Sequence, residues 1–143
     1  MKVSSILDGK RAETIKPTAT IKELVEKLAS MKIGALVVSS DGKSIEGIVS
    51  ERDIVQSMPK NFDNFQNLHV RDIMTVNVMT CTKDATFAEL MVLMTQKRIR
   101  HVPIVDSNGS LVSIVSIGDV VKNHISEIDG ERTALIDYVK SSG

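Results

Sequence analysis

Two octets, 66 residues apart, constrain this chain most. Residues 47–54 read Gly-Ile-Val-Ser-Glu-Arg-Asp-Ile, and residues 113–120 read Ser-Ile-Val-Ser-Ile-Gly-Asp-Val. Each octet closes a strand-like run with Ser-x-x-Asp. Sliding the sequence by 66 aligns 15–55 with 81–121 without a gap, and 11 of those 41 positions are identical. The matches include Ala19/Ala85, Thr20/Thr86, Glu23/Glu89, Leu24/Leu90, Ile33/Ile99, Ser50/Ser116 and Asp53/Asp119. A duplicated unit builds a pseudo-symmetric body with a cleft between its halves. The repeated Ser and Asp then fall at two related positions of that cleft, an arrangement suited to binding rather than catalysis.

The spacing within each unit predicts β-α-β-β-α. Short strands are expected near Glu13–Ile15 and Val78–Cys81. Thr20-x-x-Glu23 and Thr86-x-x-Glu89 read as capping boxes, in which each side chain satisfies a free backbone N–H. Ile21, Leu24, Val25 and Leu28, and Phe87, Leu90, Met91 and Met94, follow at i, i+3, i+4, i+7 and form one buried helix face each. Hairpins come next. Ala35–Ser39 and Val102–Val105 run out, Asp41-Gly42 and Asn108-Gly109 turn, and Ile45–Val49 and Leu111–Val115 return. Second helices start at Ser50 and Ser116, carrying Ile54, Val55 and Val120, Val121. The expected divisions are 1–58 for the first unit with its N-terminal arm, 59–69 for an Asn-rich connector, 70–128 for the second unit, and 129–143 for a helical tail. The arm's Val3, Ile6 and Leu7 repeat as Val70, Ile73 and Met74. Gly130 is expected to interrupt the tail before Leu135, Ile136, Tyr138 and Val139.

A 66-residue unit is marginal alone, so the halves are expected to share one core. That core is aliphatic, because 42% of the residues are hydrophobic and only 3% aromatic. Lys+Arg and Asp+Glu balance at 18 each. No net field attracts nucleic acid or an anionic membrane, and any anion site must be built locally. No apolar run approaches the roughly 18 residues of a membrane span. Met1 to Lys10 lacks the apolar stretch of a signal peptide. The single cysteine, Cys81, fits a reducing cytoplasm.

The chemistry concentrates at the repeated corners. Ser50 and Ser116 read as N-caps, with Asp53 and Asp119 at N3. As a matched pair in a cleft they acquire a second use. A helix N-terminus with exposed amides accepts phosphate, and a carboxylate accepts two bonds from a ribose diol. The run Lys97-Arg98-Ile99-Arg100-His101-Val102-Pro103 brings Arg100 and His101 to a strand start as cationic donors, and Arg52 adds another guanidinium. At the equivalent positions of the first unit, Gly34 and Ala35 leave room for a base or a backbone contact. Cys81 has no activating neighbour in sequence. His69, His101 and His124 share no metal-ligand spacing, so no metal is expected. No phosphate-binding Gly-rich loop or nucleophile elbow occurs.

Ala-Thr-Ile-x-Glu-Leu, Ile-Gly-Ala-Leu-Val-Val and Gly-Ile-Val-Ser-Glu-Arg-Asp-Ile, followed by Arg-His-Val-Pro-Ile-Val and Ile-Val-Ser-Ile-Gly-Asp-Val-Val, resemble a stand-alone pair of CBS domains over residues 3–125. The resemblance implies an α/β (α+β) fold of two units packed through their sheets. It also implies a non-catalytic regulatory module holding an adenosine nucleotide (AMP, ADP, ATP, S-adenosylmethionine or NAD(H)) between them, and commonly a homodimer acting on an unidentified protein. By that similarity Asp53 and Asp119 hold ribose, Ser50 and Ser116 lie near ribose or phosphate, and Arg52, Arg100 and His101 meet phosphate. Lys16, Thr18, Thr82 and Asp84 line the adenine pocket, and Pro103 is counted with the binding set. Ser113 stands where the family motif has Gly, and Gly118 stands opposite Arg52, so the two motifs cannot be chemically equal. The alternative is a ligand-free interaction module whose Ser-x-x-Asp corners are only caps.

Overall fold

The computed structural model describes residues 1–7, 9 and 12–142. Gly143, the end of the expected tail, lies outside them. The first unit runs β1 (Thr14–Ile15), α1 (Ile21–Met31), β2 (Ala35–Val38), β3 (Gly47–Ser50) and α2 (Glu51–Asn61). A one-turn helix α3 (Val70–Ile73) leads into β4 (Cys81–Thr82), α4 (Phe87–Lys97), β5 (His101–Val105), β6 (Leu111–Ser116) and α5 (Ile117–Ser142). The order β-α-β-β-α, twice, is the one the sequence predicts. Each unit carries a three-stranded sheet, β1-β2-β3 and β4-β5-β6, with a parallel first pair and an antiparallel second pair. The hairpin registers superpose: Leu36 faces Val49 and Val102 faces Val115. The turn glycines at positive φ, Gly42 and Gly109, are one step out of the 66-residue phase, and the second hairpin carries a register shift at Ile104/Val105.

Helix starts follow the predicted chemistry in part. The amide of Glu89 donates to Thr86 Oγ1 (3.1 Å) and the amide of Thr86 to Glu89 Oε2 (3.4 Å), a complete capping box. The first unit shows only the Thr half, the Glu23 amide donating to Thr20 Oγ1 (3.1 Å). Ile21, Leu24 and Leu28 are buried, but Val25, expected on the same face, is 43% exposed. Phe87, Leu90 and Met94 are buried, with Met91 packed at the edge. Helix α2 continues through Pro59 to Asn61 before a 3-10 turn at Phe65–Asn67. Gly130 does not interrupt α5. A single helical Gly costs only about 1 kcal/mol against Ala, too little to end a helix of this length.

The expected single shared core is instead two. One cluster gathers Ile15, Ile21, Leu24, Leu28, Leu36, Val38, Val49 and Val70; the other gathers Val3, Phe87, Leu90, Met94, Val102, Ile104, Val115 and Val120. The units depend on each other through exchanged segments. The segment before β4 sits on the first unit, where Ile21 N donates to Leu68 O (3.3 Å) and Val70 N to Ala19 O (2.9 Å). The N-terminal arm makes the same bonds on the second unit, Phe87 N to Met1 O (3.3 Å) and Val3 N to Ala85 O (2.8 Å). Val3 and Val70 are both fully buried, each in the cluster of the other sequence half. Alternate residues Ala35 and Val37 are buried yet outside the first cluster, on the opposite face of the sheet. The second unit comes against that sheet's edge: a Cβ on Gly34 would stand 3.4 Å from His101 Cε1.

Candidate functional site

The corner at the start of α2 is held by its own cap. Asp53 Oδ2 accepts from the Ser50 amide (2.8 Å) and from the Ser50 hydroxyl (3.1 Å), and Ser50 Oγ lies 3.3 Å from the Asp53 amide. The Glu51 amide donates to Gly34 O (3.0 Å), which ties the helix start to the beginning of β2. A cleft of about 350 Å³ opens over this corner. That is within the roughly 300–1,000 Å³ of small-ligand pockets. Its wall brings together seven of the expected residues: Gly34, Ala35, Ser50, Arg52, Asp53, Arg100 and His101.

The cleft also contains residues that sequence reasoning missed. Arg98, Glu51 and Gln56 line it, as do Thr75, Asn77, Val78 and Met79 of the segment entering the second unit. Arg98 caps α4 in the left-handed conformation at φ 55, as Lys32 caps α1. The segment reaches the cleft through a two-way bridge, Ile48 N to Thr75 O and Thr75 N to Ile48 O, both 2.9 Å. Gly47 permits that approach, since a Cβ there would lie 2.8 Å from Met74 Sδ and 2.8 Å from Thr75 O. Gly47 was the one local signal for this lining, and it could be read only once a crossing segment was suspected.

The electrostatics are mixed. Arg52, Arg98 and Arg100 contribute three guanidinium groups, and Glu51 and Asp53 two carboxylates. Burial holds the His101 pKa below its ordinary value, opposed by the Glu51 and Asp119 carboxylates and assisted by Arg100. His101 is therefore a neutral imidazole near neutral pH in the free protein, and it feels one carboxylate from each corner, Glu51 and Asp119.

The remaining expected residues lie elsewhere. Ser116 and Asp119 form the second corner, where Asp119 Oδ2 accepts from the Ser116 amide (3.2 Å) and hydroxyl (2.9 Å). Lys16 and Thr18 border a separate, more open cleft of about 690 Å³ with Ser39, Asp41 and Gly42. Thr82 is exposed on β4, and Asp84 is exposed with Lys2 Nζ at 3.9 Å. Pro103 is buried in β5 opposite Ile114. Burial pushes the Cys81 thiol up, and Glu89 pushes it further, which disfavours the reactive thiolate. Among the described residues no group of His, Cys, Asp or Glu is arranged to hold a metal, and no helix is long and apolar enough to cross a membrane.

Comparison with known proteins decides the family. The model of the CBS domain matches twice, at residues 3–60 and 70–125. The chain belongs to the CBS-domain family, as a tandem pair. A CBS-domain protein of Agrobacterium tumefaciens has the same fold, with 38% identity and a TM-score of 0.79 over 87% of this chain and 99% of its own. A CBS-domain protein of Pyrobaculum aerophilum, solved with AMP, is 29% identical with a TM-score of 0.71 over 83% of this chain and 89% of its own. The CBS pair of protein MJ0100, solved with 5'-methylthioadenosine and S-adenosylmethionine, is 25% identical with a TM-score of 0.78 over 89% and 98%. The mitochondrial CBS-domain protein CBSX3 of Arabidopsis thaliana is 33% identical over 125 residues, 85% of this chain. The CBS pair described here spans 60% of that relative's length and 54% of an uncharacterized Methanopyrus kandleri relative.

Proposed function

We propose that this CBS pair is a non-catalytic cytoplasmic sensor that binds an adenosine nucleotide, AMP, ADP, ATP or NAD(H), in the cleft over Asp53. The observation that carries the reading is the meeting of one capped carboxylate, three arginines and the small residues Gly34 and Ala35 around one ligand-sized space. The cap bonds of Asp53 use Oδ2. A ribose diol would be taken by the same carboxylate, with Ser50 beside it. Phosphate would lie against Arg52, Arg98 and Arg100, whose fixed forks suit its oxygens. The apolar Ile48, Val78 and Met79 would cover the base. Solved relatives holding AMP and S-adenosylmethionine support the same ligand class.

The mechanism is differential binding. A ligand touching Gly34 and Asp53 of one unit and Arg98 to His101 of the other favours one arrangement of the two units, and a regulated protein reads the change. Pairing into a homodimer gives that change a second outlet. The test is thermal unfolding against AMP, ADP, ATP, NAD, NADH and S-adenosylmethionine, with GTP as control. A ligand at about 100 times its dissociation constant adds about 2.7 kcal/mol. Stabilisation by adenosine ligands alone supports the sensor and ranks them. No stabilisation by any of them leaves the Ser-x-x-Asp corners as caps and the chain as a ligand-free interaction module.

A further inference from the structure

Glu51 lines the Asp53 cleft without a task in the nucleotide reading. It opens α2 beside Arg52, yet the cap of that helix is already complete in Ser50 and Asp53. A carboxylate in a first turn favours the helix dipole by about 0.3–1 kcal/mol, and Asp53 supplies one there as well. The fold does not require a second, because the matched helix start carries Ile117. The Glu51 side chain turns toward the start of β2. Its carboxyl carbon would stand 3.9 Å from a Cβ on Gly34, and the His101 ring would stand 3.4 Å from the same point. The space that Gly34 leaves is therefore shared by a carboxylate of the first unit and an imidazole of the second. Among the described residues neither Glu51 nor any of Arg52, Arg98 and Arg100 is held in an ion pair.

We propose that Glu51 limits the length of the phosphate chain, so that the cleft prefers adenosine monophosphate to the di- and triphosphate. The inference rests on the nucleotide reading of this cleft and narrows it. Three guanidiniums face two carboxylates, which leaves a surplus of one positive charge. A monophosphate carries about 1.5–2 negative charges near neutral pH and nearly cancels that surplus. Each further phosphate adds charge that the cleft has nothing to match. Arg52 belongs to one unit and Arg98 and Arg100 to the other, so one phosphate between them is approached from both sides. A chain that extends past Arg100 and His101 toward Gly34 runs into the Glu51 carboxylate. That carboxylate already acts across the gap, since its charge raises the proton affinity of His101. Glu51 is reached by solvent, so its repulsion is partly screened and weakens with salt.

The test is calorimetric titration of AMP, ADP and ATP into the full chain at about 0.05 M and about 0.3 M salt, with a chelator so that no divalent cation masks the phosphate charge. The wild type binds AMP more tightly than ATP, and the preference shrinks at the higher salt. Glu51→Gln and Glu51→Ile each narrow the ratio of AMP to ATP affinity about three- to tenfold, mainly through tighter ATP. The second variant places at this helix start the side chain that the matched corner already accommodates. A merely structural role at the helix start would change stability and leave the ratio where it was. A wild type that binds ATP as tightly as AMP, or variants that keep the wild-type ratio, overturns the proposal and leaves the nucleotide reading standing. Equal weakening of all three ligands in both variants assigns Glu51 to the nucleoside and overturns it too. If none of the three binds, the proposal falls, and the thermal-unfolding screen decides separately whether the nucleotide reading falls with it.

Discussion

At residues 50–53 and 116–119 the backbone makes the same turn twice, with each Asp Oδ2 accepting from the amide and hydroxyl of its own Ser. Between those anchors the residues diverge. The first corner carries Glu51 and Arg52, the second Ile117 and Gly118. The strand before the first begins with Gly47, with the segment through Thr75 bonded across it; the equivalent of Gly47 is Ser113. The lesson is that the cap is a structural requirement of the fold, met at both corners whatever stands between. Chemistry is added in the two positions the cap leaves free. A motif read only as Ser-x-x-Asp therefore finds two corners and cannot tell which one binds.

The largest effects should test whether the two halves are one folding unit. Phe87 and Ile21 occupy matched positions and are 0% and 1% exposed in separate clusters. Phe87→Ala should cost about 3–5 kcal/mol and Ile21→Ala about 2–5 kcal/mol, as read from urea unfolding. Because each cluster contains a valine from the other half's segment, both variants should still unfold in one transition. A biphasic curve, with one unit melting first, would show that the exchanged segments do not couple the cores. Next comes the strand start. Gly47→Ala forces Met74 and Thr75 away from β3 and should cost about 1–3 kcal/mol. Ser113→Ala removes only a hydroxyl and should stay within about 0.5 kcal/mol of wild type. Equal losses at the two positions would remove the structural distinction between the corners.

Binding sharpens the same comparison. Under the proposed function, Asp53→Ala should weaken the adenosine ligand by about 1–3 kcal/mol, the range for losing a charged hydrogen-bond partner. Asp119→Ala removes an identical cap from a corner without Arg52's equivalent and should leave affinity nearly unchanged. Calorimetric titration of both variants separates the outcomes, and a larger loss for Asp119→Ala would move the ligand to the second corner.

Local patterns carried most of the fold. Helix starts at Thr86 and Ser50, the buried faces from Ile21 and Phe87, and both hairpins were legible because each rests on residues within a few positions of one another. What failed was non-local. Nothing near Val3 says that it enters the second core, and nothing near Thr75 says that it pairs with Ile48. The cleft was legible on the walls that the repeat supplies, at Gly34, Ser50, Asp53 and His101. It was not legible on the wall built by the crossing segment. Arg98 was overlooked for a different reason. It ends a helix in the left-handed conformation, which its sequence neighbours Lys97 and Ile99 do not announce. Lys16 and Thr18 are a separate case: the family likeness assigns them to a base pocket, and the structure places them beside Ser39 and Gly42, outside the cleft over Asp53.

The smallest effect concerns His101, which senses a carboxylate of each corner. Burial depresses its pKa from the ordinary 6.5, while Glu51 and Asp119 hold it up. Below pH 6.5 the unfolded chain takes a proton that the folded imidazole resists. Stability therefore falls as pH drops from 6.5 toward the folded pKa, and it is fully present above 6.5. Glu51→Gln removes one of the carboxylates supporting the charged form and should steepen that fall, whereas the matched position already holds the uncharged Ile117. A bound phosphate acts in the opposite sense. It favours imidazolium, so ligand binding should take up a proton and tighten modestly between pH 8 and pH 6. Titration calorimetry in that interval should show the slope in the wild type and its absence in His101→Gln. A wild-type affinity independent of pH would place the phosphate away from His101, against the arginines alone.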